Sequence, residues 1–409
     1  MQTSMGLAKN TLIHALDSAR EQTDKLFSII RAGCFYERPV PQRHRLIFYL
    51  GHLEAFDWNQ IGVGHLSARR FHPEFDKLFE FGIDPDSGHA PSDRPSDWPS
   101  LYEVHTYCAR SRREVNALLP EADREIVYTA IEHRLMHAET LAYLIHTLPS
   151  EQKSGPAMGP LPVRAPSAKS PVAIPAGIAT LGKKRDAVFG WDNEYQEHRV
   201  EVPAFHIDRH KVTNGDYMQF VREGFPAPQF WCEVNGRWYY RGMFTMMPLP
   251  IDTPVYVTHR EASAYAAWKG KRLQTEAEFH RAAYGTRRGN ELPAPWGSTP
   301  PSRYTGNFDF EYWDPISVYA NPAGDSEFGV SQMVGNGWEW TSTVFGPFPG
   351  FQASSHYPGY SANFFDGEHY VMKGASPRTA ARFLRRSFRN WFRPDYPYVY
   401  AGFRCVESE

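Results

Sequence analysis

An α+β protein of two domains, a helical bundle followed by an irregular mixed domain, is predicted from three features of the chain. Apolar residues recur near every 3.6 positions from Thr11 to about Pro149, the period of helices buried on one face. A Pro- and Ser-containing tract without apolar anchors then occupies residues 151–171. Beyond it, short β-type runs, dense turn residues and many aromatics replace the helical pattern. A length of 409 residues gives ample material for two or three buried cores.

The first domain, 1–150, contains helical stretches beginning near Leu12, Arg45, Leu101 and Ile126, enough for a four-helix bundle. Between the second and third, Phe81 to Ser100 is rich in Pro, Asp, Ser and Gly and reads as a long loop or lid. Ser150-Glu-Gln-Lys-Ser-Gly-Pro opens the linker. In the second domain, 172–409, Val172-Ala-Ile-Pro and His198-Arg-Val-Glu-Val have strand character, and Arg260–Trp268 has the pattern of a helix. Tryptophans supply much of that core, and no internal repeat of fixed period is present.

Composition narrows the function. Forty-four basic and 46 acidic residues leave a net charge of -2, and without a basic stripe the chain is not expected to bind nucleic acid or an anionic membrane. Cys34, Cys108, Cys232 and Cys405 lack CxxC spacing, which argues against a zinc–cysteine site or disulfide framework and fits a reducing compartment. With no signal-peptide pattern at Met1–Leu7 and no apolar run long enough to span a bilayer, a soluble cytoplasmic protein is expected.

The chemistry starts at His133 and His137. Four residues apart in a helical run, their imidazoles project from one face about one turn apart, the geometry of a metal site. His52, in Leu50-Gly-His-Leu-Glu-Ala-Phe-Asp57, is a third candidate ligand on helical pattern. Three neutral imidazoles suit Fe(II) as well as zinc and leave about three positions of an octahedral ion open. Zinc hydrolysis is the rival, but Arg134 follows His133, so the His-Glu-x-x-His general base is absent. Glu139 is either a surface carboxylate or an acceptor that orients a ligand histidine.

A family resemblance covers nearly the whole chain. Ile174-Pro-Ala-Gly177, Trp191-Asp-Asn-Glu194, Val212-Thr-Asn214, Lys271–Glu278, Gly335-Asn-Gly-Trp-Glu-Trp-Thr341 and Ala401-Gly-Phe-Arg404, in that order, resemble the formylglycine-generating-enzyme domain, a C-type-lectin-like fold. The bundle with His52 and His133-xxx-His137-x-Glu139 resembles a DinB-type iron-binding domain. Their fusion resembles the ergothioneine sulfoxide synthase family, in which non-heme Fe(II) and O2 join sulfur to the imidazole ring of hercynine. The related selenoneine synthases use selenium from a selenosugar.

The resemblance implies His52, His133 and His137 as Fe(II) ligands. It places the trimethylammonium group of hercynine at Asn390 and Trp391, where cation–π attraction suits a cation with no N–H to donate. It calls for a catalytic tyrosine in Gly350–Gly367, either Tyr357 or Tyr360, to manage protons. Three departures concern the partners. Phe392 replaces an aspartate, Trp98 replaces an arginine that grips a donor carboxylate, and Met136 replaces a glutamine that meets hercynine through water. Two charged anchors lost to aromatics favour a neutral selenosugar donor and selenoneine synthesis. The alternative is an ergothioneine-type sulfoxide synthase taking cysteine or γ-glutamylcysteine. Two other classes are a formylglycine-generating oxidase, which would call for paired cysteines near the C-terminus where Cys405 stands alone, and a non-catalytic lectin-like binding module.

Overall fold

A computed structural model describes residues 2–80, 91–155, 162, 165–166, 170–186 and 188–408. The chain divides into two compact units, Met1–Ala157 and Met158–Glu409. The lid reading of residues 81–90 lies outside the described residues, as does much of the linker.

The first unit contains α1 (Gln2–Ile29), α2 (Leu46–Asp57), α3 (Pro73–Leu78), α4 (Leu101–Leu118) and α5 (Arg124–Thr147). The four long helices form a bundle in which α1 packs on α5, and α2 packs on both α4 and α5. Every residue of α2 is buried, which marks it as the central helix. It continues into a wider π-helical segment, Trp58–His65, whose Trp58 and Ile61 join Leu16, Val115, Ile126 and Ala130 in the core. At the start of α4, Ser100 Oγ accepts the Glu103 amide at 3.3 Å while the Glu103 carboxylate accepts the Ser100 amide at 2.8 Å, a reciprocal cap.

Residues 150–154 read as the start of a linker but belong to the bundle. Lys153 Nζ donates to the carbonyls of Ile145 and His146 at 3.1 and 2.9 Å, satisfying buried carbonyls in the last turn of α5. The Ser154 amide bonds Ile29 O at 2.8 Å. Polar composition conceals this anchoring because it is made by backbone and a lysine head rather than apolar side chains.

The second unit is a mixed α+β domain in which loops dominate, as its resemblance implies. Its strands are β1 (Val172–Ile174), β2 (Gly177–Leu181), β3 (His198–Val202), β4 (Phe205–Ile207), β5 (Trp231–Val234), β6 (Arg237–Arg241), β7 (Met246–Pro248), β8 (Arg272–Leu273), β9 (Gly337–Val344), β10 (Tyr370–Ala375), β11 (Asn390–Phe392), β12 (Ala401–Gly402) and β13 (Cys405–Ser408). Helices α6 (Asn214–Arg222), α7 (His259–Trp268) and α8 (Glu276–Tyr284) each begin at a threonine cap, Thr213, Thr258 and Thr275. One sheet has the order β1-β4-β13-β8, so first and last strands flank β4, and a second runs β11-β10-β9-β12. The core gathers Ile174, Phe205, Ile207, Phe279, Val330 and Val406. Among the described residues, no helix is long and apolar enough to cross a membrane.

Candidate metal centre

Periodicity along α2 sets one side of the site. Phe48, His52 and Phe56 are four residues apart and share a face, with His52 5.0 Å from the Phe48 ring and 6.2 Å from the Phe56 ring. Helix α5 supplies His133 and His137, also one turn apart, and His133 lies flat on Phe56 at 3.5 Å. The three imidazoles therefore meet, each offering a nitrogen within 4.8 Å of the others.

The geometry fits a metal. Nε2 of His52 and Nε2 of His133 are 3.2 Å apart, close to the ~3.0 Å expected between neighbouring ligands each about 2.1 Å from an ion. Nδ1 of His52 lies 2.7 Å from Phe79 O, which can only accept, so Nδ1 carries the proton and Nε2 presents its lone pair. Gly51 permits this approach, because a Cβ there would stand 2.5 Å from the Phe79 ring. His137 Nδ1 is shielded from solvent without a hydrogen-bond partner among the described residues. Burial pushes His52 down to about 4 and, with the neighbouring histidines adding to it, holds His133 and His137 well below the usual histidine range. All three are neutral at pH 7, the form that binds metal.

Arg134, noticed in the sequence for the glutamate it replaces, has a positive role. Its guanidinium donates to Asp57 Oδ2 at 2.7 Å, Leu53 O at 2.9 Å and Glu54 Oε1 at 3.0 Å. It thus ties α5 to α2 one residue from His133. Glu54 and Asp57, which sequence reasoning passed over, were signalled by two carboxylates three residues apart in an otherwise apolar helix.

The remaining predicted residues fall into two groups. In the first unit, Trp98 donates its indole N–H to Asp93 Oδ2 at 2.7 Å and meets Phe48 edge-on at 6.0 Å, two rings from His52. Met136 and Glu139 are half-buried on α5 beside His137. In the second unit, Tyr357, Tyr360 and Trp391 come together. Tyr360 is buried flat on Trp191 at 3.9 Å, Tyr357 is half-buried 6.0 Å from Tyr360, and Trp391 meets Tyr360 edge-on at 5.3 Å. Trp391 is braced in parallel on Phe345 at 4.2 Å. Asn390 Oδ1 accepts the Trp391 amide at 2.9 Å, and Phe392 stacks on Tyr396 at 5.1 Å, in keeping with the alternation of a strand.

Comparison with known proteins places this arrangement. The sulfatase-modifying factor enzyme 1-like domain family matches residues 158–409. The hercynine oxygenase of Mycolicibacterium smegmatis is 32% identical, over 98% of this chain and 99% of its own. That of Mycolicibacterium thermoresistibile is 34% identical, over 96% and 95%. The chain belongs to the hercynine oxygenase family, the ergothioneine sulfoxide synthases. Ergothioneine biosynthesis protein 1 of Neurospora crassa is 28% identical over 91% of this chain and 55% of its own length. As a member of an oxygenase family the chain is an enzyme, which sets aside the non-catalytic lectin-like alternative. Cys405 gives no support to cysteine chemistry either: it is buried in β13 and burial pushes its thiol far up.

Proposed function

We propose that this family member is an O2-dependent Fe(II) enzyme that forms a carbon–sulfur or carbon–selenium bond on the imidazole ring of hercynine. The observation that carries the reading is the convergence of buried His52 and His133 with half-buried His137, all neutral and with His52 oriented by Phe79. The names of the relatives supply the substrate class. Iron, held by those three nitrogens, supplies the one-electron chemistry with O2 that closed-shell side chains lack.

The chain's own residues bind, orient and move protons. Trp391, braced on Phe345 with Tyr360 and Phe364 at its flank, offers aromatic surface to the trimethylammonium group. Asn390 keeps Trp391 in place through its amide. Tyr357 is the proton donor of the tyrosine pair: burial pushes its hydroxyl up to about 12, so it stays protonated at neutral pH, while Tyr360 is packed flat on Trp191. Met136, half-buried and one residue before His137 on α5, stands where the resemblance calls for a glutamine that meets hercynine through water.

The donor has two readings. The relatives' names, hercynine oxygenase and ergothioneine biosynthesis protein 1, favour an ergothioneine-type sulfoxide, for which the donor would be a thiol such as cysteine or γ-glutamylcysteine. Trp98 and Phe392 favour a selenosugar and selenoneine synthesis, since half-buried aromatic faces suit the C–H faces of a sugar and supply neither the guanidinium that pairs with a carboxylate nor the carboxylate that pairs with an ammonium. Anaerobic loading with Fe(II), then exposure to O2 with hercynine and each donor in turn, separates them by the mass of the product. Hercynine left unconsumed with all three donors would overturn the reading. Loss of bound iron in His52→Ala, His133→Ala and His137→Ala tests the metal independently of turnover.

A further inference from the structure

The tyrosine pair of the second unit lies on a segment with little regular structure of its own. Between β9 and the short 3-10 turn Ala362–Phe364 the chain forms no helix or strand, and Gln352, Ala353, Ser355 and Pro358 are exposed. A side chain on such a segment is held in one place only where something fixes the ends of the segment.

One carboxylate does so. Asp192, only 4% exposed, accepts the Ser354 amide through Oδ2 at 3.2 Å and the Ser361 hydroxyl through Oδ1. The two serines are seven residues apart and enclose both Tyr357 and Tyr360. Within the closed segment, Ser354 Oγ accepts the His356 amide at 3.3 Å and the Tyr357 amide at 3.2 Å, and Tyr357 O accepts the Tyr360 amide at 3.1 Å. Asp192 therefore holds Ser354, and Ser354 holds Tyr357. Trp191, the residue before Asp192, adds its ring, flat on Tyr360 at 3.9 Å and edge-on to Tyr357 at 6.5 Å. Two residues after Asp192, Glu194 accepts from Arg385 at 2.8 Å and from Ser387 at 2.6 Å, and Ser387 stands four residues before Trp391. One short stretch, Trp191–Glu194, thus holds the tyrosine segment and the approach to Trp391 together.

We infer that Asp192 is a positioning residue for Tyr357. The inference rests on the reading of Tyr357 as the proton donor. What the arrangement requires is an acceptor at the Ser354 amide and a partner at the Ser361 hydroxyl, not a charge. Asparagine meets both needs, accepting from Ser354 through Oδ1 and donating to Ser361 Oγ through Nδ2, whereas alanine meets neither.

Two measurements on the full-length protein test this, one of them independent of iron and turnover. In metal-free protein, chymotrypsin cleavage after Phe351 and Tyr360, followed by mass spectrometry, is expected to be at least about tenfold faster in Asp192→Ala than in the parent, because the opened segment is more populated. In the Fe(II)-loaded enzyme with hercynine and whichever thiol or selenosugar donor turns over, Asp192→Ala should lower kcat by about 10- to 100-fold and leave the KM for hercynine within about twofold. Asp192→Asn should recover both properties to within about threefold of the parent. Ser361→Ala, which removes one of the two ties and little else, should show both changes at smaller size, so the test survives a failure of Asp192→Ala to fold. In a Tyr357→Phe background, adding Asp192→Ala should lower kcat by no more than about twofold further, since the residue it positions is already disabled. Parental cleavage and kcat in Asp192→Ala and Ser361→Ala, an asparagine variant as impaired as the alanine variant, or a full additive loss in the Tyr357→Phe background would overturn the inference. Parental kcat in Tyr357→Phe itself would instead remove the reading of Tyr357 on which it rests.

Discussion

Replacing Arg134 with leucine measures what holds α5 on α2. The guanidinium is 1% exposed and bonds Asp57, Glu54 and Leu53 O. Leucine keeps much of the apolar volume but leaves two carboxylates buried without their shared cation. Breaking a buried pair from one side costs about 3–5 kcal/mol. Arg112 still reaches Glu54 at 2.7 Å and Arg20 lies 3.7 Å from Asp57, so the lower end, about 3 kcal/mol, is expected. At about 2–4 °C per kcal/mol for a unit of this size, the unfolding midpoint of the helical unit falls by about 6–12 °C. Thermal melts of metal-free protein, followed by the helical circular dichroism band, read this directly. Adding Asp57→Asn removes one stranded charge, so the double variant should recover more than about 1 kcal/mol relative to Arg134→Leu. A midpoint within about 2 °C of the parent, or strictly additive single effects, would refute the account.

Gly51→Ala should push Phe79 off His52 and weaken Fe(II) binding by about 10- to 100-fold without loss of helix, as measured by anaerobic metal titration; unchanged affinity would remove Phe79 from the account. Trp391→Leu should raise the KM for hercynine by up to about 30-fold, the equivalent of ~2 kcal/mol of cation–π attraction, and leave a metal titration untouched. Tyr357→Phe should lower kcat by about 10²- to 10⁴-fold while Tyr360→Phe has a much smaller effect, which steady-state assays resolve. His259 is buried, stacked on Tyr370, and pushed by burial down to about 4, with the Thr341 carbonyl opposing the shift. Its unfolded form binds a proton that its folded form refuses, so the second unit loses up to about 3 kcal/mol as pH falls from 6.5 towards 4, and His259→Gln should flatten that part of the stability–pH curve.

The sequence makes the helices legible because most are amphipathic or capped, and it makes the candidate pair His133 and His137 legible because a four-residue spacing on a helix puts both side chains on one face. It is silent on how α2 is oriented. That helix is buried on all sides, so no apolar stripe tells which face carries His52 and which carries Glu54. The face becomes visible only through its partners, Phe56 under His133 on one side and Arg112 on the other. The same limit hides Phe79, whose contribution to the site is a backbone carbonyl, and Lys153, which anchors a polar tract to the end of α5.

The motifs that betray the family are internal braces of the second unit rather than its chemistry. Glu339 of the Gly-Asn-Gly-Trp-Glu-Trp run is fully buried and is held by Arg404 of the Ala-Gly-Phe-Arg run at 3.0 Å, by Gln274 at 2.7 Å and by Lys211 at 2.9 Å. Asn336 accepts the Ile316 amide at 2.8 Å, and Glu194 binds Arg385 and Ser387. A buried charge stripped of its partner is far costlier than an exposed side chain exchanged for another, so such residues mark a fold whatever substrate it serves. Trp98 and Phe392, where the family resemblance calls for charged residues, are half-buried and make ring contacts only on part of their surface. Exchange there strands no fully buried charge. The residues that carry family membership are therefore separate from the two proposed to choose the donor, so exchanging Trp98 or Phe392 for a charged residue and assaying each donor tests that proposal without stranding a buried charge.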